Sequence, residues 1–233
     1  MHNIIITTMA HKILLTLLLQ LTVAFSAFAQ TEETKDSLTL KDLKYLTIKG
    51  VELKPGLLME DALKVFLKKG LEKDTWFDKA KEEENAYWLK GTFFNTRNCE
   101  IYIYPTTNDK NIVGKILITF PEDYSFKSLK RQYDELKYSL SQKYHMFSCI
   151  ESFDDEYLEK SNDDELKLFA LSKNEATFDA RFYASDNPIT SLLGYIVLRI
   201  DSFNLSNETR CHVTLSYVTS DDVIEQMTKD NDL

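Results

Sequence analysis

The chain has 233 residues and a formal net charge of −9, with 28 Lys and Arg against 37 Asp and Glu. This acidic balance argues against nucleic acid or an anionic membrane surface as the main partner, because both carry negative charge. The length allows one large domain or two small ones, and it is sufficient for a stable core without disulfide bonds. The three cysteines have no C-x-x-C spacing, so a zinc ribbon and a dithiol redox motif have no support in the sequence.

The first 29 residues have the pattern of a secretory signal peptide. Lys12 precedes an apolar run over residues 13–25, which is too short to span a bilayer, and an A-F-A cleavage site follows at residues 27–29. We therefore predict cleavage after Ala29 and a mature protein in the periplasm or outside the cell, with no stable membrane insertion. The polar residues 30–42 are predicted to form a flexible segment.

Residues 43–121 are predicted to form a first α+β unit. A lead strand over residues 45–53 changes its alternation at Gly50, which indicates a bulge. Residues 57–69 have apolar positions at helical spacing, and Gly70 is placed as the left-handed residue that ends this helix. Three strands are predicted next, over residues 87–95, 99–104 and 112–120.

Residues 122–220 are predicted to form a second α+β unit. Ser125 is suited to cap a long amphipathic helix whose apolar residues repeat at steps of three and four. An acidic insert over residues 151–175 follows, and residues 221–233 form a polar tail. Three strands are predicted within this unit, over residues 177–184, 193–202 and 210–218.

The predicted fold class is therefore α+β, with two helix-plus-three-strand units and an antiparallel sheet that carries its helices on one side. Cys99 and Cys211 both fall among the apolar positions of predicted strands. They are the best candidates for a disulfide bond if those two strands are neighbours.

Several segments carry a resemblance to known proteins. These are LTIKGVELKPGLLMEDALKVFLKKGL, WLKGTFFNTRNCEIYIYP, LGYIVLRI and CHVTLSYVTSDD. The chain resembles uncharacterised secreted bacterial proteins, with an architecture similar to the modules of the beta-lactamase-inhibitor-protein and outer-membrane-assembly-lipoprotein type. The resemblance implies binding of other proteins through a sheet face, and no catalysis. The lipid-accepting cysteine of the lipoprotein members is missing.

Nucleophilic catalysis has weak support in the sequence. Cys149 follows His145 by four residues, but a Cys–His pair also needs an orienting group and a cleft. The favoured interpretation is a histidine at a helix end, where a cation suits the helix dipole, and a small buried thiol. His212 alternates with apolar neighbours and is expected on the wetter face of its strand. No catalytic residue is predicted.

Metal binding is also weakly supported. The runs D-D-E at residues 154–156 and 163–165 supply carboxylates, but they lack the alternating spacing and the glycine of an EF-hand loop. A solvated acidic loop is the favoured interpretation. We predict no metal and no cofactor. A carboxylate pair for glycoside hydrolysis stays open, because the separation of such a pair cannot be obtained from sequence.

The strongest functional feature is an aromatic and charged face of the predicted sheet. Strand alternation places apolar residues on one face and mixes aromatic with charged residues on the other. Trp, Tyr and Arg dominate the energetics of protein interfaces. The alternative is that these residues simply suit strands or are themselves buried. The candidate binding residues are Trp88, Lys90, Phe94, Tyr102, Tyr104, Arg181, Tyr183, Tyr195 and Arg199.

The sequence therefore predicts a secreted or periplasmic non-enzymatic module that binds a protein or peptide. The first alternative is a hydrolase of envelope or dietary polymers, which would need a deep cleft with converging polar groups. The second alternative is a structural envelope component, which would show exposed edge strands or stable self-association.

Overall fold

The structure is a computed structural model that describes residues 44–75, 77–78, 85–186, 188–205 and 208–223. The predicted signal peptide, the predicted segment 30–42 and most of the predicted tail lie outside the described residues. The strands are β1 (Thr47–Ile48), β2 (Val51–Glu52), β3 (Glu72–Lys73), β4 (Tyr87–Phe93), β5 (Thr96–Pro105), β6 (Val113–Thr119), β7 (His145–Phe153), β8 (Ala176–Tyr183), β9 (Gly194–Leu205) and β10 (Glu208–Thr219). The α-helices are α1 (Met59–Lys68), α2 (Phe126–Ser141), α3 (Glu156–Lys160) and α4 (Asp164–Ser172), and a 3-10 helix covers Pro188–Leu193.

Eight of the strands form one antiparallel sheet in the order β3-β4-β5-β6-β10-β9-β8-β7, and β1 and β2 form a separate two-stranded sheet. The sheet consists of two four-stranded meanders that meet where β6 pairs with β10. That central pair runs from Thr119 opposite Thr214 to Lys115 opposite Val218. The α+β class with a large antiparallel sheet is confirmed.

Helix α1 ends as its sequence predicts. Gly70 has a φ of +82°, and the backbone N–H of Leu71 donates to the carbonyl of Phe66 at 3.1 Å. The N–H of Gly70 donates to the carbonyl of Leu67, also at 3.1 Å. These two bonds define a Schellman stop, in which a glycine without a Cβ adopts the left-handed conformation.

Helix α2 begins at the predicted cap. The hydroxyl of Ser125 accepts the backbone N–H of Ser128 at 3.3 Å and donates to the carboxylate of Asp164 at 2.6 Å. Ser125 therefore satisfies one free N–H of α2 and also joins α2 to the first turn of α4. The buried residues of α2 are Phe126, Leu129, Tyr133, Leu136 and Leu140, which follow one another at the predicted steps of three and four.

A single hydrophobic core lies between the helices and one face of the sheet. Phe66 of α1, Leu129 of α2 and Leu171 next to the end of α4 pack in the same cluster as Ile101 and Leu198 of the strands. Both meanders therefore contribute to one core. Among the described residues, no helix has the length and apolar character needed to cross a bilayer.

The structure differs from the sequence interpretation at four places. Gly50 is not a bulge: Lys49 and Gly50, both with positive φ, form the two-residue turn of the hairpin between β1 and β2. The acidic insert is not irregular, since it contains the end of β7 and the helices α3 and α4. Each of the helices α1 and α2 is followed by four strands of the sheet, because the pattern did not predict β3 or β7. Residues 99 and 211 are not neighbours.

The pairing of Cys99 with Cys211 fails for a geometric reason. Cys99 lies in β5 and Cys211 in β10, and β6 lies between these two strands. Two strand spacings alone put the two Cα atoms at least about 9.6 Å apart, beyond the reach of a disulfide bond. Cys99, Cys149 and Cys211 are free thiols.

Candidate binding face

The face of the sheet opposite the core is called here the open face. Cross-strand pairing aligns one row of its side chains across seven strands. The row is Trp88, Tyr102, Leu117, Ser216, Val197, Arg181 and Ser148. Helices α1, α2 and α4 pack on the opposite side, against the core. The row begins with aromatic side chains, passes through small and aliphatic ones, and reaches a guanidinium near the β7 edge.

A second row runs parallel to the first and is more polar. It consists of Lys90, Glu100, Thr119, Thr214, Arg199, Asp179 and Ile150. The two rows bring Lys90 next to Trp88 and Arg199 next to Arg181. The sheet therefore gathers residues that are up to 128 positions apart in the sequence onto one continuous surface.

Trp88, Tyr102 and Tyr104 form an aromatic cluster at the β4–β5 side of the open face. The ring centroids of Trp88 and Tyr102 are 5.0 Å apart, and those of Tyr102 and Tyr104 are 6.0 Å apart with planes within 10°. The ammonium of Lys115 lies 5.7 Å from the centroid of Tyr104. All three rings are half-buried. Each ring therefore restrains its neighbour while it keeps part of its surface available for contact.

Polar contacts hold the aromatic cluster in place. The Tyr102 hydroxyl donates to the Glu100 carboxylate at 2.7 Å. Burial first, and then this hydrogen bond, raise the pKa of Tyr102 far above its ordinary value, so the phenol stays neutral. Lys90 forms an ion pair with the buried carboxylate of Asp74, and this contact raises the pKa of Lys90. Lys90 is therefore cationic at the rim of the cluster.

A buried carboxylate organises the opposite side of the open face. Asp179 is 5% exposed and accepts hydrogen bonds from Nε of Arg181 at 2.9 Å and from Nε of Arg199 at 2.6 Å. Burial alone would raise the pKa of Asp179, but the two arginines outweigh burial and hold this pKa below its ordinary value. Asp179 is thus anionic at neutral pH, and it fixes both guanidinium groups.

Tyr183 and Tyr195 lie near this arginine pair. The ring of Tyr183 stacks on Phe147 with centroids 3.8 Å apart, at the edge made by β7. Tyr195 is paired with Val218 on β10 and is half-buried, and burial raises its pKa. Both tyrosines therefore extend the open face beside its two arginines.

Phe94 is the one candidate residue that lies away from the open face. Strand β4 ends at Phe93, and Phe94 has a φ of +43° in the turn before β5, so the alternation on which its placement depended has stopped. Its ring is exposed and lines a surface depression with Lys143 and Tyr144, which follow helix α2. The structure brings together the other eight candidates and separates Phe94 from them.

The centre of the open face is more buried than its margins. Val197, Thr214 and Val218 are only 6–8% exposed, although helices α1, α2 and α4 lie on the other side of the sheet. The aromatic and arginine side chains therefore stand at the margins of a buried centre, a detail that strand alternation alone does not predict.

His145 and Cys149 do not form a Cys–His pair. Helix α2 ends at Ser141, and His145 and Cys149 both lie in β7, about 13 Å apart along an extended strand. A bulge between them turns His145 toward Tyr183 and places Cys149 opposite Ala180 on the core side. Burial, and then the contact with Glu151, raise the pKa of Cys149, which disfavours the reactive thiolate.

Metal binding at the acidic runs also has no geometric support. Asp155 and Asp163 instead act as helix caps, each accepting a backbone N–H of the helix that follows. Among the described residues, no group of three or more His, Cys, Asp and Glu side chains is arranged to hold a metal ion.

Comparison with protein-family models, with curated proteins and with solved structures gave no match to this chain. The function proposed below therefore depends on the geometry of the open face.

Proposed function

We propose that this protein is a secreted or periplasmic, non-enzymatic module that binds a protein or peptide through the open face. The observation that carries this proposal is the continuous row from Trp88 and Tyr102 to Arg181, which places two kinds of interface anchor on one surface. The resemblance to sheet-face binding modules supports the same assignment.

The packing of these side chains suits binding. Trp88, Tyr102 and Tyr104 are already held by ring contacts, and Arg181 and Arg199 are held by Asp179. Side chains that are fixed before binding lose little rotamer freedom when a partner arrives. A partner would therefore gain contact area and charge complementarity without a large ordering cost.

A pull-down with matched variants tests the proposal. We expect residues 30–233, immobilised and exposed to an envelope extract of the source cells, to retain a partner that W88A/Y102A fails to retain. Tyr138→Ala is the control, because Tyr138 is 68% exposed on helix α2 and far from the open face. Equal retention by all three proteins would contradict the proposal, provided that their circular dichroism spectra agree.

A structural, self-associating role is the second candidate, and strand β7 favours it. This nine-residue strand is the last in the sheet, and Met146, Phe147 and Ile150 are exposed along it. It contains no lysine or proline, which usually protect an edge strand from pairing. We expect light scattering to detect a mass that rises with concentration and that Ile150→Lys lowers to the monomer value. A concentration-independent monomer mass would dismiss this candidate.

We also propose export and cleavage after Ala29. The apolar run behind Lys12 and the A-F-A site support this assignment. Intact-mass measurement of the protein from the periplasm or the medium should give a chain that begins at Gln30. A chain that retains the leader, or one found only in the cytosol, would contradict this proposal.

We infer in addition that the fold is built from two related units, residues 43–121 and residues 122–220. The order of elements supports this, because α1 precedes the meander β3–β6 and α2 precedes the meander β7–β10. The helices α3 and α4 would then be an insertion into the second unit, between its first and second strands.

A further inference from the structure

A pocket opens where β8 and β9 separate. Cross-strand pairs between these strands run from Phe182 opposite Ile196 to Asp179 opposite Arg199. Beyond the last pair lies a depression of about 360 Å³, called here the splay pocket. Apolar side chains contribute to its lining, and the charged side chains around it come from the open face. The lining residues used below are Phe178, Ile200, Arg181, Arg199, Asp179 and Asp201.

The arginine pair has unused hydrogen-bonding capacity at this pocket. The Asp179 carboxylate accepts hydrogen bonds from Nε of both arginines and from one terminal nitrogen of Arg181. Two guanidinium groups carry ten N–H donors, so about seven are left for another acceptor. The side chains of Arg181 and Arg199 are 41% and 45% exposed, whereas the carboxylate between them is buried. The three groups together carry one net positive charge at the mouth of the pocket.

Asp201 supplies an acceptor at the same site. Its carboxylate lines the splay pocket and accepts the hydroxyl proton of Thr214 from β10. A second carboxylate repels a purely anionic ligand on its side of the pocket, and it favours a ligand that also carries an N–H donor. The pocket therefore combines two guanidinium groups, the carboxylate of Asp201 and apolar side chains.

We propose that the splay pocket receives the C-terminal residue of a polypeptide. The terminal carboxylate accepts hydrogen bonds from the free N–H groups of Arg181 and Arg199, because a planar guanidinium group can donate two parallel hydrogen bonds to a carboxylate. The backbone N–H of the same residue points to Asp201, and its apolar side chain enters toward Phe178 and Ile200. This inference rests on the proposed function, because it names the part of the partner that the arginine side of the open face binds.

The spacing across the sheet is compatible with one extended partner segment. Tyr102 lies on β5 and Arg181 on β8, which are four strand spacings, or about 19 Å, apart. About six extended residues cover that distance. A segment that ends at the arginine pair therefore reaches the aromatic cluster with its preceding residues.

Titration of three peptides followed by NMR tests the inference. The probes are acetyl-Ala-Ala-Leu as the free acid, the same peptide as the C-terminal amide, and acetyl-Ala-Asp-Ala-amide, whose only carboxylate is a side chain. With 15N-labelled residues 30–233, we expect the free acid at millimolar concentration to shift the Nε–H signals of Arg181 and Arg199 in a saturable way. Absence of that shift, or equal shifts with the amide, would overturn the inference. Equal binding of the aspartate peptide would overturn the assignment to a chain terminus.

Conservative variants separate recognition from stability. Arg199→Lys keeps the charge but loses the fork, so we expect at least a tenfold weaker affinity for the free acid from a protein whose circular dichroism spectrum is unchanged. Unchanged affinity in Arg199→Lys and in Arg181→Lys would also overturn the inference.

The same titration separates this inference from the proposed function. W88A/Y102A should bind the short free-acid peptide as well as the unsubstituted protein does, because β5 lies three strand spacings, or about 14 Å, from Arg199 on β9. If the free-acid peptide does not bind but the pull-down requires Trp88 and Tyr102, only the C-terminal residue site is overturned. If the free-acid peptide binds and W88A/Y102A still retains the partner in the pull-down, only the open-face proposal is overturned.

Discussion

His212 shows how a position on the open face can differ from what alternation predicts. It was expected on the wetter side of its strand, but it is only 9% exposed and packs with its ring centroid 5.3 Å from that of Phe203. Burial lowers the pKa of His212, and the carboxylates of Asp201, Glu122 and Glu100 only partly offset this effect. The histidine is therefore neutral in the folded protein near pH 7.

The lowered pKa of His212 makes stability depend on pH. As the pH falls below about 6.5, the unfolded chain binds a proton before the folded one, so the free energy of unfolding falls by at most about 1.4 kcal/mol per pH unit. We expect urea unfolding at pH 7.5, 6.5 and 5.5 to show this decline, and His212→Gln to reduce it. An unchanged slope in the variant would mean that other groups carry the pH dependence.

Ser125 combines a cap with a contact between helices. Replacing it with alanine removes the acceptor for the Ser128 N–H and the donor to Asp164. We expect Ser125→Ala to lower the free energy of unfolding by about 1 to 2 kcal/mol in chemical denaturation. Ser139→Ala is the matched control, because Ser139 is exposed on the same helix and bonds only its own turn. Similar losses in both variants would contradict the capping role.

At the scale of elements, the sequence predicts those whose apolar pattern is long and regular. Helices α1 and α2 and six strands were placed within a few residues, because each of them buries one face in the core. Strand β3 has two exposed residues and no pattern to detect. Strand β7 is an edge strand with an irregular burial pattern and a bulge, so its alternation is lost. Local patterns could not predict either one.

Gly194 begins β9 in a conformation that only glycine adopts easily. Its φ is +104°, and a Cβ there would lie 2.2 Å from the carbonyl oxygen of Val218 on the neighbouring strand. We expect Gly194→Ala to lower the free energy of unfolding by more than about 1 kcal/mol, because both the backbone and the β9–β10 pairing must shift. Gly56→Ala is the control, since Gly56 also has a positive φ but no atom within 4 Å of the added Cβ. An equal loss in the two variants would exclude the clash as the cause.

At the scale of the whole molecule, eight of the nine candidate binding residues lie on one face. Side chains alternate between the two faces along each strand, and residues paired across strands lie on the same face. The order of the strands was not available from the sequence. That order brings Arg181 into the row of Trp88, and it also separates Cys99 from Cys211. Phe94 was misplaced because a turn interrupts the alternation one residue earlier. The splay pocket depends on where β8 and β9 part, which no local pattern in either strand reveals.

The β6–β10 pair makes the two halves of the sheet depend on each other. Leu215 of β10 is fully buried opposite Ile118 of β6, and both belong to the core that the helices share. We expect calorimetry of residues 30–233 to show one transition with equal calorimetric and van't Hoff enthalpies. Leu215→Ala should lower its midpoint as one unit, with a loss of about 2 to 5 kcal/mol from the cavity at the junction. Two resolved transitions, of which Leu215→Ala moves only the second, would instead mean that the meanders fold as separate domains.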